Sequence, residues 1–346
     1  MRYCDTTDGV RLAYTSAGRG SVVIKVANWM SHMQAEEASP VGRHWIAELS
    51  RRNALVRYDG RGCGLSDRKV KDISLDGWVR DLEAVADAGG RERFVLFGFS
   101  QGAAVAVEYA ARHPERVAGL MLYGAFLRGV LMQGVSERVE KAALEMVRLA
   151  ELGWGTDNQT FRDLFVKRLF PDATAAEQRD FDRLHRNTAT GDVAARYMRV
   201  FNEVDARAAA ARVRCPTLVM HSSGERMVLP VEGRLTASLI PGARFVEFAS
   251  NNHMPLEREP AWKSARDEMR AFLAGVESGT SAVSLTPRQR DVLRRVAGGG
   301  TDKAIARELG LSPRTVEMHV ARALAALGVR TRAEAVAAAL QRRLLD

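Results

Sequence analysis

The chain has 346 residues, 46% of them apolar and 27% charged, with a formal net charge of +9 at pH 7. At roughly 150 residues per domain this length predicts two domains, or one large and one small, and the composition excludes a disordered chain or a lone miniature fold. No run approaches the roughly 20 apolar residues of a membrane-spanning helix. The stretch through Tyr14 lacks the apolar core of a secretory signal, and Cys4, Cys63 and Cys215 are too scattered for a disulfide framework or a zinc cluster. The expectation is a cytoplasmic protein with no membrane partner, no metal site and no cofactor.

Elements in chain order begin with an antiparallel hairpin at a sheet edge, predicted from Asp8-Gly9 followed by the run 10–15. Continuous apolar runs follow at 22–27, 54–58, 94–99 and 117–124, then at 217–221 and 244–248, separated by helix-sized segments. That alternation predicts a parallel sheet covered on both faces, an α/β fold. Residues 126–214 break it. They hold helical spacings such as Leu144, Val147, Leu149 and Leu152, then Phe161, Leu164, Phe165 and Leu169, and two readings stay open: a lid over the sheet's C-terminal edge or a dimerisation surface. Trp154, Phe161, Phe165, Phe170, Phe181 and Tyr197 are expected mostly in the core, with a minority lining an apolar cavity.

Within the first part, Gly98-Phe99-Ser100-Gln101-Gly102 directly follows a predicted strand and directly precedes an Ala/Val-rich helix. In that context it predicts a nucleophile elbow: the glycines permit a tight turn that lifts the Ser100 hydroxyl above the sheet edge, with the Gln101 N–H placed to meet an oxyanion. Together with the glycine-rich stretch 58–66, in which Asp59 and Arg61 brace a turn, these residues resemble the α/β-hydrolase family over about residues 1–274. The resemblance implies a triad in the chain order serine, acid, histidine: Ser100, then Glu225 in Gly224-Glu225-Arg226, then His253 in Asn251-Asn252-His253. It departs from the family pattern twice. Most relatives carry Asp where Glu225 stands, and the second oxyanion donor falls on Asn28-Trp29, so that Trp29 or Met30 would supply the N–H. A serine nucleophile points to ester, lactone or thioester chemistry. His32, His44, His113, His185 and His221 lack such a setting and are expected to be structural or solvated.

The Gly/Ser/Thr-rich stretch 275–284 is predicted to be a linker, leaving a domain over 285–346. From Leu285 onward 12 Lys and Arg face 6 Asp and Glu, a net +6, whereas the first 284 residues carry 39 against 36. A small basic domain beside a nearly neutral one is consistent with an anionic partner or with a solvated basic face. Four helices are predicted, the first capped by Thr286 with Pro287 at its first position, the second capped by Thr301 and ended by Gly310. In the third, Val316, Val320, Ala323 and Leu327 form one buried stripe and leave the opposite face free. Two helices joined by a tight turn, the second presenting polar groups and arginines, predict a helix-turn-helix that enters the major groove.

LTPRQRDVL, Lys303, Ile305-Ala306, Leu309, Leu311-Ser312, Thr315-Val316, His319 and Leu327-Gly328-Val329 resemble the LuxR-type DNA-binding domain of bacterial regulators. The resemblance implies that Glu317, Met318 and Ala321 face bases of double-stranded DNA, with Lys303, Arg314, Thr315 and Arg322 near phosphates. The fusion resembles regulators with an α/β-hydrolase domain ahead of a LuxR-type tail. It implies a dimeric transcription factor that senses a small, largely apolar carbonyl compound. The other reading is an active serine hydrolase with an attached DNA-binding domain.

Overall fold

A computed structural model of the protein describes residues 1–29, 31–89, 92–156, 158–278, 285–327, 329, 331–341 and 344–345. The expectations placed on Met30, Gly328 and the linker residues 279–284 lie outside the described residues. Eight strands form one sheet: β1 Arg2–Asp5, β2 Arg11–Ala17, β3 Val22–Lys25, β4 Ala54–Tyr58, β5 Phe94–Phe99, β6 Val117–Tyr123, β7 Thr217–Ser222 and β8 Arg244–Phe248. Their spatial order is β1-β2-β4-β3-β5-β6-β7-β8. The pairings β1–β2 and β2–β4 are antiparallel and the others parallel. The N-terminal hairpin turns at Gly9, whose φ of +80° favours glycine.

Side chains of the central strands alternate between two cores, as the period of two requires. Ile24, Val56, Leu96 and Leu122 face one, with helices α3 (Leu75–Ala88) and α4 (Gly102–Arg112). Val23, Leu55, Phe97 and Met121 face the other, which also holds Trp45, Ile46 and Leu49 of α2 (Arg43–Ser50) and Trp262, Met269 and Phe272 of α11 (Pro260–Glu277). α11 continues through Gly275–Glu277, residues that composition assigns to the linker. Val276 packs against the second core and holds the helix on.

Before those strands resume, five helices occupy the interval after β6: α5 (Glu137–Gly153), α6 (Gln159–Leu169), α7 (Ala175–Thr188), α8 (Gly191–Glu203) and α9 (Arg207–Ala210). Short α1 (Met33–Ala38) precedes α2, and α10 (Pro230–Leu239) links β7 to β8. The expected spacing misjudges α5. Leu144, Leu149 and Leu152 are exposed, whereas Val147, Ala150 and Gly153 are buried. In α6, Phe161, Phe165 and Leu169 are buried and Leu164 is exposed. All six aromatics expected in the core are buried.

The C-terminal region holds α12 (Pro287–Ala297), α13 (Asp302–Leu309), α14 (Pro313–Leu327) and α15 (Arg332–Gln341). Thr286 and Gln289 form a reciprocal cap at the start of α12. The Thr301 side chain accepts from Ala304 N at 3.3 Å, and Gly310, at φ +64°, ends α13. The stripe Val316, Val320, Ala323 and Leu327 is buried. Arg332 clamps Asp302 through two hydrogen bonds of 2.7 Å, tying the start of α15 to the start of α13.

Candidate functional site

Ser100 stands between β5 and α4 with φ +51°, the one non-glycine residue among the described residues in the left-handed region. The strain is held by its N–H, which donates to Tyr123 O at 2.9 Å, and by close packing of α4 on β5. A Cβ at Gly98 would come within 2.8 Å of Ala103 Cα, so glycine is what lets the helix approach. Gln101 sits at the N-terminus of α4, where backbone N–H groups lack intrahelical acceptors and favour negative charge. Its carboxamide is buried with neither polar atom partnered among the described residues.

His253 lies just past β8 and is 3% exposed. Its N–H donates to Leu169 O at 2.7 Å, and its ring lies 4.7 Å from that of Phe99. The neighbouring asparagines pin this loop to the segment after α6: Asn252 Oδ1 accepts from Asp172 N at 3.1 Å and Asn251 Nδ2 donates to Asp172 Oδ2 at 2.9 Å. Nδ1 of His253 contacts Glu225 Oε1. That oxygen also accepts from Val228 N at 3.0 Å. Ser223 N and Gly224 N donate to Phe248 O and Ser250 O at 2.8 and 2.9 Å, so the acid loop and the histidine loop are laced together.

Two participants escape the sequence reading. His221 is fully buried, with Nε2 2.8 Å from Val228 O and 3.2 Å from Glu225 Oε2. Since Val228 O can only accept, Nε2 carries the proton, and the geometry to Glu225 is a close approach without an aligned hydrogen bond. His221 is thus structural in a sense the sequence does not disclose, for it backs the carboxylate. Gly124, at φ +57°, would carry a Cβ 3.1 Å from His253 Cε1 and makes room for the imidazole. Neither residue has a motif, and only the fold joins them to the site. Burial pushes the Glu225 carboxyl up, but His253 and His221 outweigh it and hold the group below its ordinary range.

The other histidines are elsewhere. His44 Nε2 lies 3.0 Å from Pro255 O and His113 pairs with Glu83 at 2.8 Å. His32, half-buried, is held below the ordinary imidazole range chiefly by burial, and the side chain of His185 lies outside the described residues. Asp59 and Arg61 do brace the glycine-rich turn. Asp59 accepts from Met33 N at 2.8 Å and Leu65 N at 2.9 Å, and the fully buried Arg61 bonds both Asp81 at 2.9 Å and Asp8 at 2.8 Å.

Ser100, Gln101, Trp29 and His253 line one cavity of about 530 Å³. The Ser100 hydroxyl and the His253 ring share it without a direct hydrogen bond between them. Trp29 is clasped by rings from the inserted helices, at 4.6 Å from Trp154, 6.2 Å from Phe165 and 5.5 Å from Phe201. The inserted segment also supplies Val130, Val139, Ala142 and Met146 as an apolar wall. A strained serine, a buried histidine–carboxylate contact and an apolar chamber together can bind a carbonyl compound and offer it a nucleophile. Among the described residues no group of three or more His, Cys, Asp or Glu could hold a metal ion, and no helix is long and apolar enough to cross a membrane.

At the second candidate site, Arg314, Glu317, Met318, Ala321 and Arg322 are exposed on the outer side of α14, and Lys303 is exposed on α13. Thr315 is half-buried and spends its hydroxyl on Ser312 Oγ at 2.8 Å, at the start of the helix. Burial, with Arg322 and Arg288 adding to it, holds the His319 imidazole below its usual range.

Comparison with known proteins adds two family matches, "alpha/beta hydrolase fold" over residues 31–260 and "Bacterial regulatory proteins, luxR family" over residues 283–339. The chain is 23% identical over 253 residues to pyrrolizixenacetamide deacetylase of Xenorhabdus hominickii, covering 71% of this chain and 90% of that protein. Its C-terminal part is 52% identical over 62 residues to the probable transcriptional regulatory protein NarL of Mycobacterium tuberculosis, covering 18% of this chain and 29% of that protein. A solved enol-lactonase from Burkholderia xenovorans LB400 superposes with a TM-score of 0.62 at 21% identity, over 79% of this chain and 100% of that one.

Proposed function

Since the chain belongs to the alpha/beta hydrolase fold family and carries a luxR-family DNA-binding domain at its C-terminal end, we propose that it is a ligand-responsive transcriptional regulator. In this reading the hydrolase-like domain, over about 1–274 with the inserted helices 126–214 as its lid, recognises a small carbonyl compound. Its occupancy biases a DNA-binding domain spanning 285–346. The observation that carries the reading is one chain holding both an apolar cavity around Ser100 and a helix with an exposed Arg314/Glu317/Met318/Ala321/Arg322 face. Lys303 and Thr315 complete the set of DNA-facing residues. A homodimer fits the two-half-site geometry of such domains, and an intracellular location fits a DNA partner.

At the cavity the proposed roles are Ser100 as nucleophile or carbonyl anchor, His253 as its base and Glu225 as the orienting acid, with N–H groups of Gln101 and Trp29 meeting the oxyanion. A second reading, an esterase or lactonase with an attached DNA-binding domain, is favoured by the Glu225–His253 contact, which suits an imidazole poised to take the Ser100 proton. Named hydrolases among the relatives support it. A fluorophosphonate probe applied to wild type and Ser100→Ala, beside DNA binding of both with and without short acyl esters, separates the readings. Ester-dependent DNA binding supports the regulator. Ser100-dependent labelling and turnover with DNA binding indifferent to ester supports the enzyme.

A further inference from the structure

The charges around the cavity do not balance. Arg128 is neutralised by Glu232, a buried carboxylate that it grips at 2.9 and 3.1 Å. Arg168 and Arg226 line the same cavity, are exposed, and make neither hydrogen bond nor ion pair among the described residues. Both are tethered to the reacting end. Arg226 directly follows Glu225, which contacts His253, and Arg168 directly precedes Leu169, whose carbonyl accepts the His253 N–H at 2.7 Å. Two guanidinium groups without an ion-pair partner among the described residues, one on the last turn of α6 and one on the loop after β7, therefore line the cavity that His253 also lines. Asn202 of α8 adds a polar group to the same cavity. It is 7% exposed, lines the cavity, and its carboxamide has no hydrogen-bond partner among the described residues. Facing the cavity, that amide can donate to or accept from a bound polar group.

We propose that the ligand is a carbonyl compound bearing a second, carboxylate group: an apolar acyl chain whose ester or lactone carbonyl meets Ser100 and whose carboxylate is held by Arg168 and Arg226. A carboxylate matches the planar fork of arginine better than a neutral polar group does. The apolar wall accepts the chain between, and Asn202 serves the remaining polar atom. This rests on the proposed reading of the cavity as a carbonyl-binding site.

The test uses full-length Ser100→Ala, which holds an ester without cleaving it, and calorimetric titration with monomethyl adipate against dimethyl adipate. The expected result is that the anionic half-ester binds at least about tenfold more tightly. That preference is expected to weaken with added salt and to shrink to about twofold or less in the background Arg168→Gln/Arg226→Gln, a pair exposed enough to replace without unfolding. Equal binding of the two esters, or a preference that survives the arginine substitutions, overturns the inference and leaves the carbonyl-binding reading standing. Binding of neither ester overturns both.

Discussion

Glu225 shows how one methylene redistributes a site. The family resemblance leads one to expect Asp at this place, yet the longer side chain here contacts Nδ1 of His253, accepts from Val228 N at 3.0 Å and lies 3.2 Å from His221. Its carboxyl is depressed on folding because the two imidazoles outweigh the opposing effect of burial. A carboxyl so depressed contributes stability that is present above its unfolded value of 4.5 and is lost as pH falls through the lower folded value. Glu225→Gln is therefore expected to lower the urea midpoint near pH 7, with the two proteins converging as pH falls below the unfolded value and on through the lower folded one. A midpoint difference that stays constant with pH would mean that the charge is not what matters. The same variant is expected to slow fluorophosphonate labelling of Ser100 without abolishing it, since the carboxylate acts only through His253. Ser100, Glu225 and His253 are legible in the sequence because motif and chain order single them out. His221 is not, because its approach to Glu225 spans a strand end and a loop, where a spacing of four residues has no periodic meaning. Arg128 and Glu232 meet across 104 residues, beyond any local signal.

The central strands β5 and β6 are readable for a physical reason: buried on both faces, they hold no charged side chain, so no register choice intervenes. Helix α5 was harder. Its leucines suggest a core stripe, but the inserted segment buries a flatter face of Val147, Ala150 and Gly153, where Gly153 lets Phe161 come close. Small residues can define a contact face and add little to a hydrophobic pattern. The same logic governs the elbow. Gly98→Ala would set a methyl 2.8 Å from Ala103 Cα, a backbone atom that cannot step aside. It is expected to cost about 1–3 kcal/mol by urea titration and to lose Ser100 labelling with it; a stable, fully labelled variant would mean that α4 can back away from β5. On α14, Glu317 and Arg322 are both exposed but differ in what they could touch on a duplex. A carboxylate accepts from cytosine N4 and repels phosphate. Glu317→Ala is expected to relax discrimination at one base position by about 1–3 kcal/mol, whereas Arg322→Ala weakens all sequences and flattens the salt dependence. Selection profiles from randomised duplexes, taken at two salt concentrations, check both; identical profiles for wild type and Glu317→Ala would remove that residue from the readout.

At the scale of the molecule, the excess positive charge is concentrated in the luxR-family region. Residues 285–346 carry a net +6, against +3 for the far larger remainder, and α14 presents one exposed face about four turns long. A helix of that length reads one half-site, and the phosphate attraction that supplements it is indifferent to sequence. One copy therefore has too little base contact to separate an operator from bulk DNA. Two copies on one duplex double the specific contacts and convert the second binding step into an intramolecular one, which raises affinity without any new kind of contact. Full-length protein is accordingly expected to bind a duplex with two half-sites, spaced by about one helical turn, with a steep dependence on protein concentration and a stoichiometry of two. Deleting one half-site is expected to cost at least about tenfold in affinity. Sedimentation of the protein–DNA complex across a dilution series reads the stoichiometry directly. A single copy bound as tightly to one half-site as to two would show that the protein binds as a monomer, and would require specificity from contacts outside the α14 face.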